Sequence, residues 1–102
     1  MPKGYWVVRV DVTDQEGYGN YVAANAEAFA RFGARFLVRG GNFETLEGAS
    51  RSRNVVIEFP SYDAALACYR SPEYAAARAH RSHAGVVDLI VIEGYEGAQP
   101  GE

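Results

Sequence analysis

The sequence predicts one α+β domain in which a four-stranded antiparallel sheet is covered on one face by two helices. Short segments of alternating apolar residues predict the strands, and two segments with helical spacing and capping residues predict the helices. The order is strand–helix–strand–strand–helix–strand, in which each helix can join two parallel strands. The chain has 102 residues, of which 48% are hydrophobic and 23% charged, as expected for one globular domain.

The first half of the chain contains a strand, a long helix and a second strand. Residues Tyr5 to Val12 alternate, and Trp6, Val8 and Val10 form the apolar face of the first strand. Thr13 and Glu16 have the spacing of a capping box, which predicts a helix from about Asp14 to Phe32 that ends at Gly33. The apolar stripe of this helix consists of Tyr18, Tyr21, Val22, Phe29 and Phe32. Residues Arg35 to Arg39 form the second strand.

The second half repeats this pattern. Gly40 and Gly41 predict a bulge or a bend before an extended stretch from Phe43 to Glu47. Residues Arg53 to Phe59 form the third strand, and residues Val86 to Glu93 form the fourth. Between them Ser61 caps a helix, and Ser71 followed by Pro72 restarts it. We expect one domain over residues 1–97 and a mobile tail over residues 98–102.

This order of elements is that of the ferredoxin-like fold, βαββαβ, whose usual strand order is 4-1-3-2. Such a sheet has helices on one face only and leaves the other face open. The open face is predicted to carry Tyr5, Val7, Leu37 and Val56, whose exposure to water is unfavourable. We therefore expect a homodimer that forms through the open sheet face.

Composition excludes several classes of function. The net charge is −3, and the basic residues form no block or stripe, which argues against nucleic-acid binding. No apolar run approaches the roughly 20 residues of a membrane span, so no membrane association is expected. The single cysteine, Cys68, excludes an internal disulfide and fits the reducing cytoplasm.

Charged residues on the sheet are one candidate site. If Phe36 and Val38 face the helices, Arg39 shares the open face with Arg9, and Glu58 on the third strand lies between them. Such a cluster could clamp an anion, because guanidinium groups bind planar oxyanions in a bidentate manner. Alternatively, these charges satisfy one another inside the dimer. The pattern does not decide which side of the last strand faces inward.

Asn25 is a second candidate, since it falls in the middle of the aromatic stripe of the first helix. Its side-chain amide either forms a hydrogen bond with the backbone or lines a pocket with Tyr21 and Trp6.

His80 lies at the end of the second helix, where it could cap the helix or, alternatively, act as a general base. Cys68 is interpreted as a core residue rather than a nucleophile.

Four segments carry a resemblance to a known family: KGYWVVRVDVTD, FGARFLVRGG, RNVVIEFPSYDAALACYRSPEY and VIEGY. In order and spacing they resemble the small bacterial family called domain of unknown function 1330, over residues Lys3 to about Gly97. The resemblance implies a dimeric α+β barrel. The wider superfamily includes cofactor-independent oxygenases, whose pockets involve Asn, Trp and Tyr side chains, as well as isomerase-like, haem-degrading and sensory proteins. The family itself has no established reaction, so it implies no catalytic residues.

The sequence thus predicts a cytoplasmic homodimer with a small-molecule pocket, and it leaves open whether the protein is an enzyme. A cofactor-independent oxygenase or isomerase-like enzyme is one alternative, and a non-catalytic ligand-binding, sensory or structural dimer is the other. No metal and no cofactor are expected. The candidate ligand-binding residues are Arg9, Tyr21, Asn25, Arg39, Glu58 and His80.

Overall fold

The computed structural model, which describes residues 2–102, contains one sheet of four antiparallel strands. The strands are β1 (Gly4–Val12), β2 (Arg35–Arg39), β3 (Arg53–Phe59) and β4 (Gly85–Glu93). Their order across the sheet is β2-β3-β1-β4, which confirms the predicted order. β1 therefore lies at the centre, hydrogen-bonded to β3 on one side and to β4 on the other.

Four helical segments cover one face of this sheet. They are α1 (Gln15–Ala24), α2 (Ala26–Arg31), α3 (Tyr62–Tyr69) and α4 (Pro72–Ala79). The caps of α3 and α4 are the predicted ones, because the hydroxyl groups of Ser61 and Ser71 accept hydrogen bonds from the backbone amides of Ala64 and Tyr74. The predicted cap of the first helix is wrong: Asp14 rather than Thr13 accepts a backbone amide, that of Gly17.

The long first helix is interrupted at Asn25, which separates α1 from α2. The interruption is slight, because Asn25 keeps helical backbone angles and its backbone N–H donates to the Tyr21 carbonyl at 2.9 Å. The Asn25 carbonyl in turn accepts the amide of Phe29 at 3.1 Å. Both segments consequently present one continuous side to the sheet, as the aromatic stripe predicts.

The core lies between the helices and the sheet. Alternate residues of β1 and β3 point into it, and so do Tyr74 and Cys68 of the helices. Its most deeply buried large side chains are Trp6, Tyr74, Phe59, Val10 and Cys68. The register also settles the last strand: Val87 and Leu89 lie opposite Val10 and Val8 and therefore face the helices.

The other face of the sheet carries an apolar row. Val38, Val56, Val7 and Ile90 lie side by side across all four strands. Ile90 is 55% exposed and Val38 is 43% exposed. This arrangement leaves β-branched side chains on an uncovered surface, which we call the open face.

A loop over residues 40–52 folds back against one end of the open face. Arg51 donates to Asp11 at 2.8 Å and to Asp88 at 2.7 Å, which ties the loop to β1 and β4. The backbone amide of Ser52 also donates to Asp11, at 2.9 Å. No strand forms from Phe43 to Glu47, and the Leu46 side chain in this stretch is 84% exposed.

The Asp11 contacts predict a dependence of stability on pH. The amide of Ser52 first, and Arg51 second, hold the pKa of Asp11 below its ordinary value. A carboxyl group with a lowered pKa stabilises the fold above its unfolded pKa, and this contribution is lost as the pH falls through the folded pKa. Between about pH 6 and about pH 3, the melting temperature of the wild type should therefore fall further than that of Asp11→Asn. Glu44→Gln in the same loop is the control and should follow the wild type; equal slopes for Asp11→Asn and wild type would contradict the prediction.

Candidate functional site

A pocket lies between α1 and the β2–β3–β1 part of the sheet. Its volume is about 20 Å³. The floor is formed by sheet residues, and one wall is formed by the inward side of the first two helices. Its lining consists of Trp6, Val8, Tyr18, Tyr21, Val22, Asn25, Phe29, Phe36, Arg39, Arg53, Val55 and Ile57. The pocket is thus mainly aromatic and aliphatic, with a few polar groups, which is typical of small-molecule sites.

Trp6 forms the centre of the pocket floor. Its indole nitrogen donates to the carbonyl of Ala65 on α3 at 2.9 Å. Its ring packs edge-on against Phe29 of α2 and Tyr74 of α4, at centroid distances of 5.3 and 4.9 Å. The orientation of the indole is therefore fixed from three helices, so this part of the pocket is rigid.

Behind the pocket wall runs a chain of buried hydroxyl groups. The hydroxyl groups of Tyr21 and Tyr74 lie 2.7 Å apart, and Arg81 donates to Tyr74 at 3.1 Å. Burial, followed by the neighbouring Tyr74 hydroxyl, raises the pKa of Tyr21, whereas the positive charge of Arg81 and, to a smaller extent, Asn25 act in the opposite direction. Tyr21 is accordingly a neutral hydrogen-bonding group at physiological pH, and through Tyr74 it links α1 to α4.

A β-bulge brings Arg39 to the pocket. β2 pairs regularly with β3 at Phe36 and Ile57, but the register then shifts, so that Arg39 lies opposite the buried Val55. The expectation that Val38 faces the helices and Arg39 the open face is therefore wrong for both residues. The guanidinium group of Arg39 lies over the ring of Phe36, 4.0 Å from its centroid.

The predicted cluster of Arg9, Glu58 and Arg39 does not form. Glu58 lies opposite Tyr5 and Arg35, and its carboxylate accepts the hydroxyl of Tyr5 at 3.4 Å. Arg9 lies opposite Asn54 and donates to the carbonyl of Ala49 at 3.1 Å. In the β1–β3 register Glu58 therefore lies four residues away from the position opposite Arg9, and the bulge places Arg39 on the other face of the sheet.

His80 and Cys68 also lie away from the pocket lining. His80 is exposed and follows the last residue of α4, where its backbone amide donates to Ala77. Cys68 is buried, and its burial first, with Glu73 second, raises the pKa of the thiol to about 12. A thiol with such a pKa is almost fully protonated at neutral pH, so Cys68 is a poor nucleophile.

Of the six candidate residues, the structure brings three together in the pocket: Tyr21, Asn25 and Arg39. It also places Arg53 there, which the sequence interpretation overlooked. A signal was present, because Arg53 alternates in phase with Val55 and Ile57 and so belongs to the inward face of its strand. A basic residue in phase with a buried row is the feature that could have identified it.

Comparison with protein families gives one match. The model of the family described as "Domain of unknown function (DUF1330)" matches residues 3–95. No curated protein sequence matches the chain. Among residues 2–102, no helix is both long and apolar enough to cross a membrane.

Solved structures similar to this chain share its fold. A protein of unknown function from Rhodopseudomonas palustris, RPA0582, has a TM-score of 0.73 at 21% identity, over 94% of this chain and 85% of that one. SnoaB, a cofactor-independent oxygenase from Streptomyces nogalater, has a TM-score of 0.61 at 14% identity and covers 100% of both chains. A putative antibiotic biosynthesis monooxygenase from Nitrosomonas europaea has a TM-score of 0.54 at 16% identity, over 90% of this chain and 89% of that one. These neighbours are of the dimeric α+β barrel type.

The hydroxyl chain behind the pocket should contribute to stability. Tyr74→Phe removes the group that joins Tyr21 to Arg81 and leaves the buried Tyr21 hydroxyl without this partner. We expect the free energy of unfolding to fall by about 1–3 kcal/mol, as measured by denaturant titration. Tyr69→Phe is the matched control, because the Tyr69 hydroxyl accepts Arg78 at an exposed position, and its loss should cost less than about 0.5 kcal/mol. Equal effects of the two changes would show that the buried chain adds nothing.

Proposed function

We propose that this chain, which belongs to the DUF1330 family, is a homodimer in which each subunit binds one small molecule in the pocket beside Asn25. The ligand is a small aromatic or carbonyl-containing compound. The observation that carries this proposal is the position of Asn25, which is only 5% exposed and lies in an otherwise mainly aromatic and aliphatic pocket wall. A polar group placed in such a lining can fix the orientation of a bound ring or carbonyl group.

Binding requires the pocket to widen. Its volume of about 20 Å³ accommodates one water-sized molecule, whereas ligand pockets generally measure roughly 300–1,000 Å³. The rim contains Phe36 and two arginines, one of which, Arg39, is exposed. Rotation of Phe36 and of the exposed Arg39 away from the pocket would give access to a floor that Trp6 keeps in place.

The nature of the lining supports binding more strongly than acid–base catalysis. No Asp, Glu, His or Cys is among the residues that line the pocket. The hydroxyl of Tyr21 is a candidate base, but burial raises its pKa and keeps it protonated. Any turnover at this site would therefore depend on the reactivity of the substrate itself. Measuring oxygen consumption in the presence of a bound compound would reveal such chemistry.

The open face supports the homodimer. Its apolar row crosses all four strands, and Ile92 extends it with a side chain that is also about half exposed. A contiguous apolar surface on a sheet is typical of an interface, and a second copy offers the same surface by two-fold symmetry. A total buried area of roughly 1,200 Å² or more would be expected for a stable dimer.

The dimer is tested by a charge placed in the apolar row. The wild type should sediment as a dimer at micromolar concentration, and Ile90→Lys should sediment as a monomer, because a buried unpaired ammonium group is strongly unfavourable. Leu46→Lys is the control, since Leu46 is exposed in the 40–52 loop and lies outside the row. A monomeric wild type would contradict the proposal.

The pocket is tested by Asn25→Leu. If Asn25 serves a ligand, the change should alter the free energy of unfolding by less than about 1 kcal/mol, because leucine is compatible with an apolar lining. Any small molecule that native mass spectrometry detects on the purified wild type should be lost or weakened. Asn20→Leu, on the exposed side of the same helix, should leave binding unchanged. A large loss of thermal stability in Asn25→Leu, with no ligand on either protein, would exclude the pocket as the functional site.

A further inference from the structure

Two guanidinium groups at the pocket have no acidic partner. Arg39 and Arg53 both line it, yet neither makes an ion pair with any other residue in the 2–102 range. Arg39 instead lies over the ring of Phe36, and Arg53 lies 5.7 Å from the ring centroid of Tyr18. The rim of an aromatic pocket therefore carries two positive charges that the protein itself does not neutralise.

Arg53 has a more specific feature. Its Nε atom is fully buried and has no hydrogen-bond partner, the one such side-chain atom among the residues that the structure describes. A buried donor without an acceptor is costly, and its presence in a native fold requires an explanation such as a bound ion or ligand. Since Arg53 is opposite Val10 in the sheet, its side chain starts on the helix side, next to the pocket.

The backbone at Gly40 lies close to the guanidinium group of Arg53. Gly40 has a positive φ of 70°, and a Cβ atom there would lie 2.5 Å from Nη1 of Arg53. The amide of Gly40 donates to the carbonyl of Asn54 at 2.9 Å, which keeps the glycine beside the start of β3. Glycine thus leaves room for the guanidinium group in its present position, and a larger residue would displace the end of this flexible side chain.

We propose that the ligand of this pocket is a small planar carboxylate, with its ring over Trp6 and its carboxylate oxygens on Arg53 and Arg39. This inference rests on the proposed function and specifies its ligand class. Guanidinium groups bind carboxylates through paired, charge-assisted hydrogen bonds, and a carboxylate would supply the acceptor that Nε of Arg53 lacks. The aromatic and aliphatic remainder of the lining favours a ring over a hydrated inorganic anion.

Trp6 makes the test direct, because it is the single tryptophan of the chain and lies in the pocket floor. Benzoate and its neutral isostere benzamide are titrated into the full-length protein while tryptophan fluorescence is recorded. Benzoate should change the fluorescence in a saturable manner and bind about tenfold or more tighter than benzamide. Arg53→Met should weaken benzoate binding by about ten- to a hundredfold and leave benzamide binding unchanged.

Arg78→Met is the matched control, because Arg78 also lies over a tyrosine ring, that of Tyr69, but outside the pocket. It should bind benzoate as the wild type does. Equal affinity for the two probes, or unaltered benzoate binding in Arg53→Met, would overturn the carboxylate inference and leave the pocket as a site for a neutral molecule. Failure of both probes, together with a neutral compound found on the wild type by native mass spectrometry, would overturn the inference alone. Failure of both probes with no ligand on the purified protein would overturn the inference and the proposed function together.

Discussion

The packing of Trp6 is the constraint on which the rest of the structure depends. The residue lies on the central strand, its ring contacts α2 and α4, and its indole nitrogen bonds the backbone of α3. A single side chain therefore fixes the position of three helical segments against the sheet. Close approach at Gly4 adds to this, because a Cβ atom there would lie 2.4 Å from the carbonyl oxygen of Ser61, the cap of α3. The pocket floor is rigid for the same reason that the fold is stable, and its adjustable part is restricted to the rim.

Local signals in the sequence predicted most of the fold. The bounds of β2 and β3 and the caps at Ser61 and Ser71 depend on alternation and on hydrogen bonds between near neighbours, which a sequence displays directly. The position of Asn25 in the aromatic stripe followed from helical periodicity in the same way. The face of the sheet on which Arg39 lies could not be predicted from such local signals. A bulge is defined by pairing with another strand, and the five residues of β2 carry no mark of the extra residue.

The bulge affects both faces of the sheet at once. Without it, regular alternation would place Arg39 on the open face and Val38 among the helices. With it, Val38 completes the apolar row beside Val56, and Arg39 moves to the rim of the pocket. One inserted residue therefore removes a charge from the surface that we propose as the dimer interface and supplies it to the surface that we propose as the binding site. This exchange explains why the sequence interpretation combined residues that the structure separates.

At the end of the loop over residues 40–52, two neighbouring arginines are placed on opposite faces of the sheet. At its end Arg51 engages Asp11 and Asp88, the two carboxylates on the nearby part of the open face. Two residues later Arg53 enters β3 on the opposite side of the sheet, where the pocket lining contains no carboxylate. Because both acids lie on the open face, the sheet separates them from Arg53, and they do not neutralise it. The positive charge at the pocket is thus a consequence of strand alternation, which places the carboxylates that bind Arg51 on one face of the sheet and Arg53 on the other.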